Sequence, residues 1–142
     1  MNDEQTYAVV GGRGTMTVFE IYIKTSPERL WEAITDSEMR KRYSFGVGIE
    51  SDWKAGSEYL ARVPGVVDIS SGENVEVDPP RRLVQTWRWA GAQHDSRVTI
   101  DLTAADGGTD LVVVHDQVDA ETAEMYRQGW ESCLGRLPGY LA

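Results

Sequence analysis

Apolar and polar residues alternate with a period of two over most of this chain. They switch to a three-and-four spacing near the start and again at the end, so the pattern predicts a run of strands framed by helices. TMTVFEIYIK, 15 to 24, reads as a strand with Thr17, Phe19, Ile21 and Ile23 on one face and Val18 and Tyr22 on the other. In TSPERLWEAITD, Ser26 or Thr25 caps a helix, Pro27 takes its first position, and Leu30, Trp31 and Ile34 form its apolar side. SEMRKRY, 37 to 43, predicts a second short helix. Before all of these, residues 1 to 14 form a leader in which YAVV predicts a short edge strand and Gly11, Gly12 and Gly14 a turn.

Strands then follow one another closely. FGVGIES places Phe45, Val47 and Ile49 on one face, WKAG at 53 to 56 is a turn, and SEYLARV groups Tyr59, Ala61 and Val63. A strand opening at PGVV runs to about Val77 and meets a hairpin signal in DPPRR, because proline fixes φ and cannot donate to a ladder. Pairing Val77 with Leu83 sets Val75 against Gln85 and Glu73 against Trp87. One face then carries Val75, Val77, Leu83, Trp87 and Trp89, with Gln85 the polar exception, and the other carries Asn74, Glu76, Thr86 and Arg88. Around the AADGG turn, pairing Leu102 with Leu111 aligns Ile100 with Val113 and Val98 with His115. His115 then points inward and Asp116 outward, opposite Arg97.

A helix from about Ala120 to Leu137 closes the chain, with Asp119 as a plausible cap and Pro138 as its end or bend. Ala123, Tyr126, Trp130, Leu134 and Leu137 recur at three and four residues, and Leu141 extends the stripe. One sheet with an apolar face needs a cover, and this helix is the one long enough. The class is therefore α+β: a curved antiparallel sheet of six to seven strands around a C-terminal helix, with two short helices after the first strand. Residues 15 to 142 form a single domain.

Composition narrows the function classes. The 142 residues hold 41% hydrophobic and 26% charged residues, the balance of one globular domain. No apolar run is long enough to span a bilayer, and the acidic, polar start predicts no signal peptide. A single cysteine fits a reducing compartment, so a cytoplasmic location is expected. The net charge of −9 disfavours nucleic acid and anionic lipid. MRKRY, 39 to 43, is the nearest basic patch and is offset by Asp36 and Glu38.

Five stretches carry a resemblance: SPERLWEAITDSE (26 to 38), SDWKAGSEY (51 to 59), VEVDPPRRLVQTW (75 to 87), SRVTIDLTAADGGTDLVVVH (96 to 115) and GWESCLGRLPGYL (129 to 141). Over roughly 15 to 142 the chain resembles the helix-grip proteins of the START and Bet v 1 (SRPBCC) superfamily. Within it, the chain is similar to the branch of the C-terminal domain of the activator of the Hsp90 ATPase, AHSA1-like. The resemblance implies a seven-stranded sheet gripping the long helix. It also implies one of three activities: binding lipids, hormones or polyketides in a central cavity, cyclising polyketides, or stimulating the Hsp90 chaperone. Tyr43 stands where this branch often has tryptophan.

Candidate chemistry follows from the inward faces. His94 and His115 fall roughly 14 Å apart along the strands, too far to share a zinc ion, so neither a metal nor another cofactor is expected. Asp116 cannot orient His115, because adjacent strand residues point to opposite faces. A His115–Cys133 pair is geometrically possible but lacks a third group and an oxyanion site, so Cys133 reads as a packing residue and no catalytic residue is assigned. Tyr59, Gln85, Trp87, His115, Tyr126 and Trp130 are the candidate cavity residues. Gly129, without a side chain, allows close backbone approach or leaves room for a ligand. Their aromatic bulk either lines a pocket or fills the interior. The first reading is a binding protein for a small hydrophobic or amphipathic ligand. The alternatives are an interaction module regulating a chaperone ATPase or another partner, and a cyclase- or hydrolase-type enzyme acting in the cavity. Monomer and homodimer both remain open.

Overall fold

A computed structural model describes residues 7–13, 16–89, 95–118 and 120–141. The strands are β1 (Tyr7–Arg13), β2 (Met16–Ile23), β3 (Gly48–Ser51), β4 (Glu58–Val63), β5 (Val67–Asp78), β6 (Arg82–Trp89), β7 (Ser96–Ala105) and β8 (Gly108–Asp116). The helices are α1 (Pro27–Thr35), α2 (Ser37–Tyr43) and α3 (Ala120–Leu141). All pairings are antiparallel, in the order β1-β2-β8-β7-β6-β5-β4-β3. This is the expected α+β helix grip, with β1 added at the edge of the seven strands. Gly11 and Gly12 lie within β1, beside a bulge, rather than in a turn. Gly14, His94 and Asp119 lie outside the described residues.

Local sequence explains the two short helices. Ser26 Oγ accepts from Arg29 N at 3.2 Å, with Pro27 at the first helical position, where its missing N–H is not needed. Asp36 ends α1 and caps α2, its carboxylate accepting from Met39 N at 2.9 Å. Leu30, Ala33 and Ile34 are buried, while Trp31 is half-buried against the same core.

The β7–β8 register is the expected one, with Leu102 opposite Leu111 and Val98 opposite His115. The β5–β6 hairpin departs from expectation. Val77 does face Leu83, but a bulge between Asn74 and Glu76 sets Asn74 opposite Gln85 and Ser71 opposite Arg88, so Glu73 does not face Trp87. The extra residue is Val75, which turns outward and exposes 41% of its surface, while Asn74 is fully buried. A bulge between Ala61 and Arg62 on β4 likewise leaves Ile69 unpaired on β5 and half-exposed. Bulges bend the strand that carries them, so β5 curls its sheet around the helix. Phe45 is also displaced from its expected strand: β3 begins only at Gly48, and Phe45 precedes it in an exposed turn.

Helix α3 lays Trp130, Leu134, Leu137 and Leu141 onto Phe19, Ile21, Leu83, Val98, Ile100, Leu111 and Val113. It continues through Pro138 instead of stopping there. Proline inside a helix costs about 3 kcal/mol, an amount comparable to the burial of Leu141 and of Pro138 itself against the domain. Gly129 is exposed, with open space where a side chain would lie, so it neither brings the helix close to the sheet nor opens a pocket there. Ile49, Tyr59 and Ala61 form a smaller cluster, and Trp53 and Trp87 pack against both cores.

Candidate functional site

All six sequence-selected residues meet in the interior. Trp87 is the hub. Its ring lies 5.3 Å from Trp130, 5.6 Å from His115, 6.1 Å from Tyr126 and 6.2 Å from Tyr59, centroid to centroid. Tyr126 and His115 are 4.4 Å apart. Gln85, 2% exposed, accepts a 3.0 Å hydrogen bond from the Trp87 indole N–H through Oε1. Gln85 Nε2 donates to Asn74 Oδ1 at 2.9 Å. Asn74 Nδ2 donates in turn to Ser51 Oγ at 2.8 Å and Ser57 Oγ at 3.1 Å. Gln85, the exception on an apolar face, is thus one link in a buried chain of donors and acceptors that starts at Trp87.

His115 is 1% exposed and sits between two partners. The Trp130 indole N–H donates to Nδ1 at 2.9 Å. Indole nitrogen is only a donor, so Nδ1 carries a lone pair and the neutral ring holds its proton on Nε2. Nε2 lies 2.6 Å from Ser96 Oγ and donates to it; that hydroxyl passes its own proton toward the Trp87 carbonyl at 3.3 Å. Burial lowers the His115 pKa from 6.5 to about 4. Both nitrogens are engaged within the fold, and neither partner is Cys133, which packs half-buried against the core. A proton relay to a substrate would have to break one of these bonds first.

The tyrosines are similarly tied. Tyr59 donates to the Thr86 carbonyl at 3.0 Å, and burial raises its phenol pKa well above the ordinary value. Tyr126 Oη accepts from the Trp89 backbone N–H at 3.2 Å. The small space bounded by Thr17, His115, Val118, Tyr126 and Trp130 has no room for a water molecule. Two larger hollows among the described residues are open and external: one of about 700 Å³ lies beside Pro27, Pro80, Arg82 and Asp101, and the other beside Thr25, Ser26 and Gly108. Among the described residues no three His, Cys, Asp or Glu side chains gather as metal ligands, and no helix is long and apolar enough to cross a membrane.

Sequence reasoning missed Ser96 and Ser70 and turned Asn74 outward, while it placed Trp89 on the inward face without making it a site candidate. Alternation from Val98 would have turned Ser96 inward beside His115. Nothing in the spacing announces the bulge that buries Asn74. Ser70 and Trp89 face one another across β5 and β6; Ser70 Oγ and the Trp89 indole nitrogen are buried without a hydrogen-bond partner.

The sheet, its gripped helix and the two short helices define a helix-grip domain. Residues 24–142 match the family described as Activator of Hsp90 ATPase homolog 1-like protein, AHSA1, and the chain belongs to it. It is 30% identical over 119 residues to the human activator of 90 kDa heat shock protein ATPase homolog 1, covering 82% of this chain. It spans about a third of that relative's length, 33%. Among solved structures, an HSP90 activator from Plasmodium falciparum superposes with a TM-score of 0.77 at 22% identity, covering 89% of this chain and 96% of that one. CalU16 from Micromonospora echinospora superposes with a TM-score of 0.75 at 21% identity, covering 96% and 84%. At these identities the two structures establish a shared fold.

Proposed function

We propose that this domain acts through its surface, as a protein-interaction module that regulates a chaperone ATPase of the 90 kDa heat-shock class. The observation that carries the reading is the filled interior. Trp87 packs against four rings, and His115 has both nitrogens bonded within the fold, so the apolar centre holds side chains where a ligand would have to sit. A buried pocket for a drug-sized molecule is ordinarily about 300–1,000 Å³. The human relative's description as an ATPase activator names the partner class. The test is the ATPase rate of the host's 90 kDa chaperone with and without stoichiometric domain. A changed rate together with direct binding supports the reading; no binding at micromolar concentrations removes it.

A second reading has its own observation. The Trp89 indole N–H is buried and unpartnered, which costs about 1–3 kcal/mol, and the Ser70 hydroxyl opposite it has only the Tyr59 hydroxyl near by, outside good hydrogen-bond geometry. A small amphipathic ligand presenting a carbonyl or phenolic oxygen would satisfy both. Native mass spectrometry against a hydrophobic-compound library tests it, and loss of any adduct in Ser70→Ala with Trp89→Phe would locate it. An empty spectrum throughout removes this reading.

A further inference from the structure

The chain following α2 does something that its local chemistry disfavours. Gly46 N donates to the Lys41 carbonyl at 3.0 Å across five residues, the wrapping bond of a Schellman helix end, with Ser44 as the cap. The residue between them in such a motif adopts a left-handed conformation, and glycine is the usual occupant. Here it is Phe45, at φ 56°. A bulky side chain in this region is an outlier, costing on the order of 1–3 kcal/mol.

Burial of the side chain is only partial. Phe45 leaves 58% of its surface in water. Arg136 of α3 packs on it, its guanidinium carbon 4.4 Å from the ring centre. An exposed cation–π contact contributes about 0.5–1 kcal/mol, no more than the strain. The ring is held mostly in water, in a conformation that its own backbone disfavours.

Arg136 lies over the ring, and Arg42 is three residues before Phe45 in the chain. Net charge is −9, yet Arg136 and Arg42, both exposed, make no salt bridge among the described residues. Of the MRKRY run, only Lys41 is neutralised, by Glu38 at 2.7 Å. Asp36 is occupied in capping Met39 N, and Arg40 donates to the Ile34 carbonyl at 2.8 Å. The offset expected from the neighbouring acids is therefore partial: Arg42 stays exposed without a salt bridge among the described residues, and Arg136 lies over the exposed Phe45 ring.

We propose that Phe45, with Arg136 over its ring and Arg42 three residues before it in the chain, is the docking point for an acidic face of the chaperone ATPase that carries an apolar side chain to seat on the ring. This rests on the regulatory function proposed above. Aromatic and arginine side chains concentrate binding energy at interfaces, and charge complementarity selects an acidic partner over the basic faces that the rest of this surface attracts. Too few free cations gather here to follow a phosphate backbone.

The test is calorimetric titration of the host's 90 kDa chaperone into the whole domain, for the wild type and four variants. Phe45→Gly and Phe45→Asn both suit a left-handed residue. Each is expected to lose at least about 10-fold in affinity while Tm holds or rises by a few degrees. Arg136→Glu is expected to weaken binding and flatten its salt dependence, and Val66→Ser, at the exposed β4–β5 turn, to keep wild-type affinity. If the wild type fails to bind, the chaperone reading falls and this assignment with it. If the wild type binds and Phe45→Gly binds equally, the regulatory function stands and this docking point is wrong. A Tm drop beyond about 5 °C in both Phe45 variants would assign the ring to the fold instead. Binding to phosphatidylserine vesicles that Phe45→Gly abolishes would make the patch a membrane contact and overturn the protein partner.

Discussion

The indole N–H of Trp130 donates to Nδ1 of His115, joining the closing helix to the last strand by a 2.9 Å hydrogen bond in the interior between them. That bond fixes which nitrogen of His115 carries the proton, and it resists a second proton on the ring. Four measurable consequences follow from this interior and its surroundings.

Stability should depend on pH through His115. Its folded pKa is about 4, against roughly 6.5 in an unfolded chain. Between those values the unfolded state binds a proton that the folded state does not. The stabilisation is therefore fully present above about pH 6.5 and is lost as pH falls toward 4, by roughly 3 kcal/mol in total. Urea denaturation at pH 7 and pH 5 is expected to show the wild type weakening by about 2 kcal/mol, with a much flatter response in His115→Gln. Equal midpoints at the two pH values would contradict the buried neutral ring.

Trp130→Phe keeps most of the packing volume and removes the donor. It leaves Nδ1 buried without a partner, a loss of about 1–3 kcal/mol in chemical denaturation. The His115 pKa, followed by NMR, is expected to rise, because Nδ1 becomes free to accept a proton. An unchanged titration would mean the indole does not set the tautomer.

Gln85→Leu breaks the buried chain in the middle. The Trp87 indole N–H and Asn74 Oδ1 both lose their partners, so destabilisation of about 2–4 kcal/mol is expected despite the better hydrophobic match. Adding Asn74→Ala should cost less than it does in the wild-type background, because one of its partners is already gone. Strict additivity in that double-mutant cycle would show that the two amides do not act together.

Gly72→Ala tests the close approach of β5 and β6. A side-chain carbon at Gly72 would run into the Thr86 carbonyl oxygen and crowd the Tyr59 ring. Backbone must shift, so a loss of about 1–3 kcal/mol or more is expected. Gly129→Ala, facing open space on an exposed helix surface, is expected to gain up to about 1 kcal/mol. Thermal denaturation of the pair should move in opposite directions.

The architecture was largely legible in the sequence because it rests on periodicity. Alternation in β7 and β8 located the pairing of Leu102 with Leu111, and three-and-four spacing located the gripping stripe of α3. The same pattern placed His115 inward and brought Trp87, Tyr126 and Trp130 to one interior. Where the period slips, the reading failed. The bulge at Val75 reversed Asn74 and Val75, and Phe45 left the strand alternation for a helix end. Pro138 was expected to end or bend the helix; it does not end it, and tertiary burial of the last turn carries α3 to Leu141.

What the sequence alone determined, then, was an antiparallel sheet, its helical cover and the set of residues facing inward, since each follows from hydrophobic spacing along a single segment. Tertiary structure decided how those inward residues are used. Whether rings from four separate elements leave a void or fill it depends on their packing across the chain, and whether Gln85 and His115 are free or bonded depends on partners brought in by a bulge and a helix. Those are relations between distant segments, and no period along one segment encodes them.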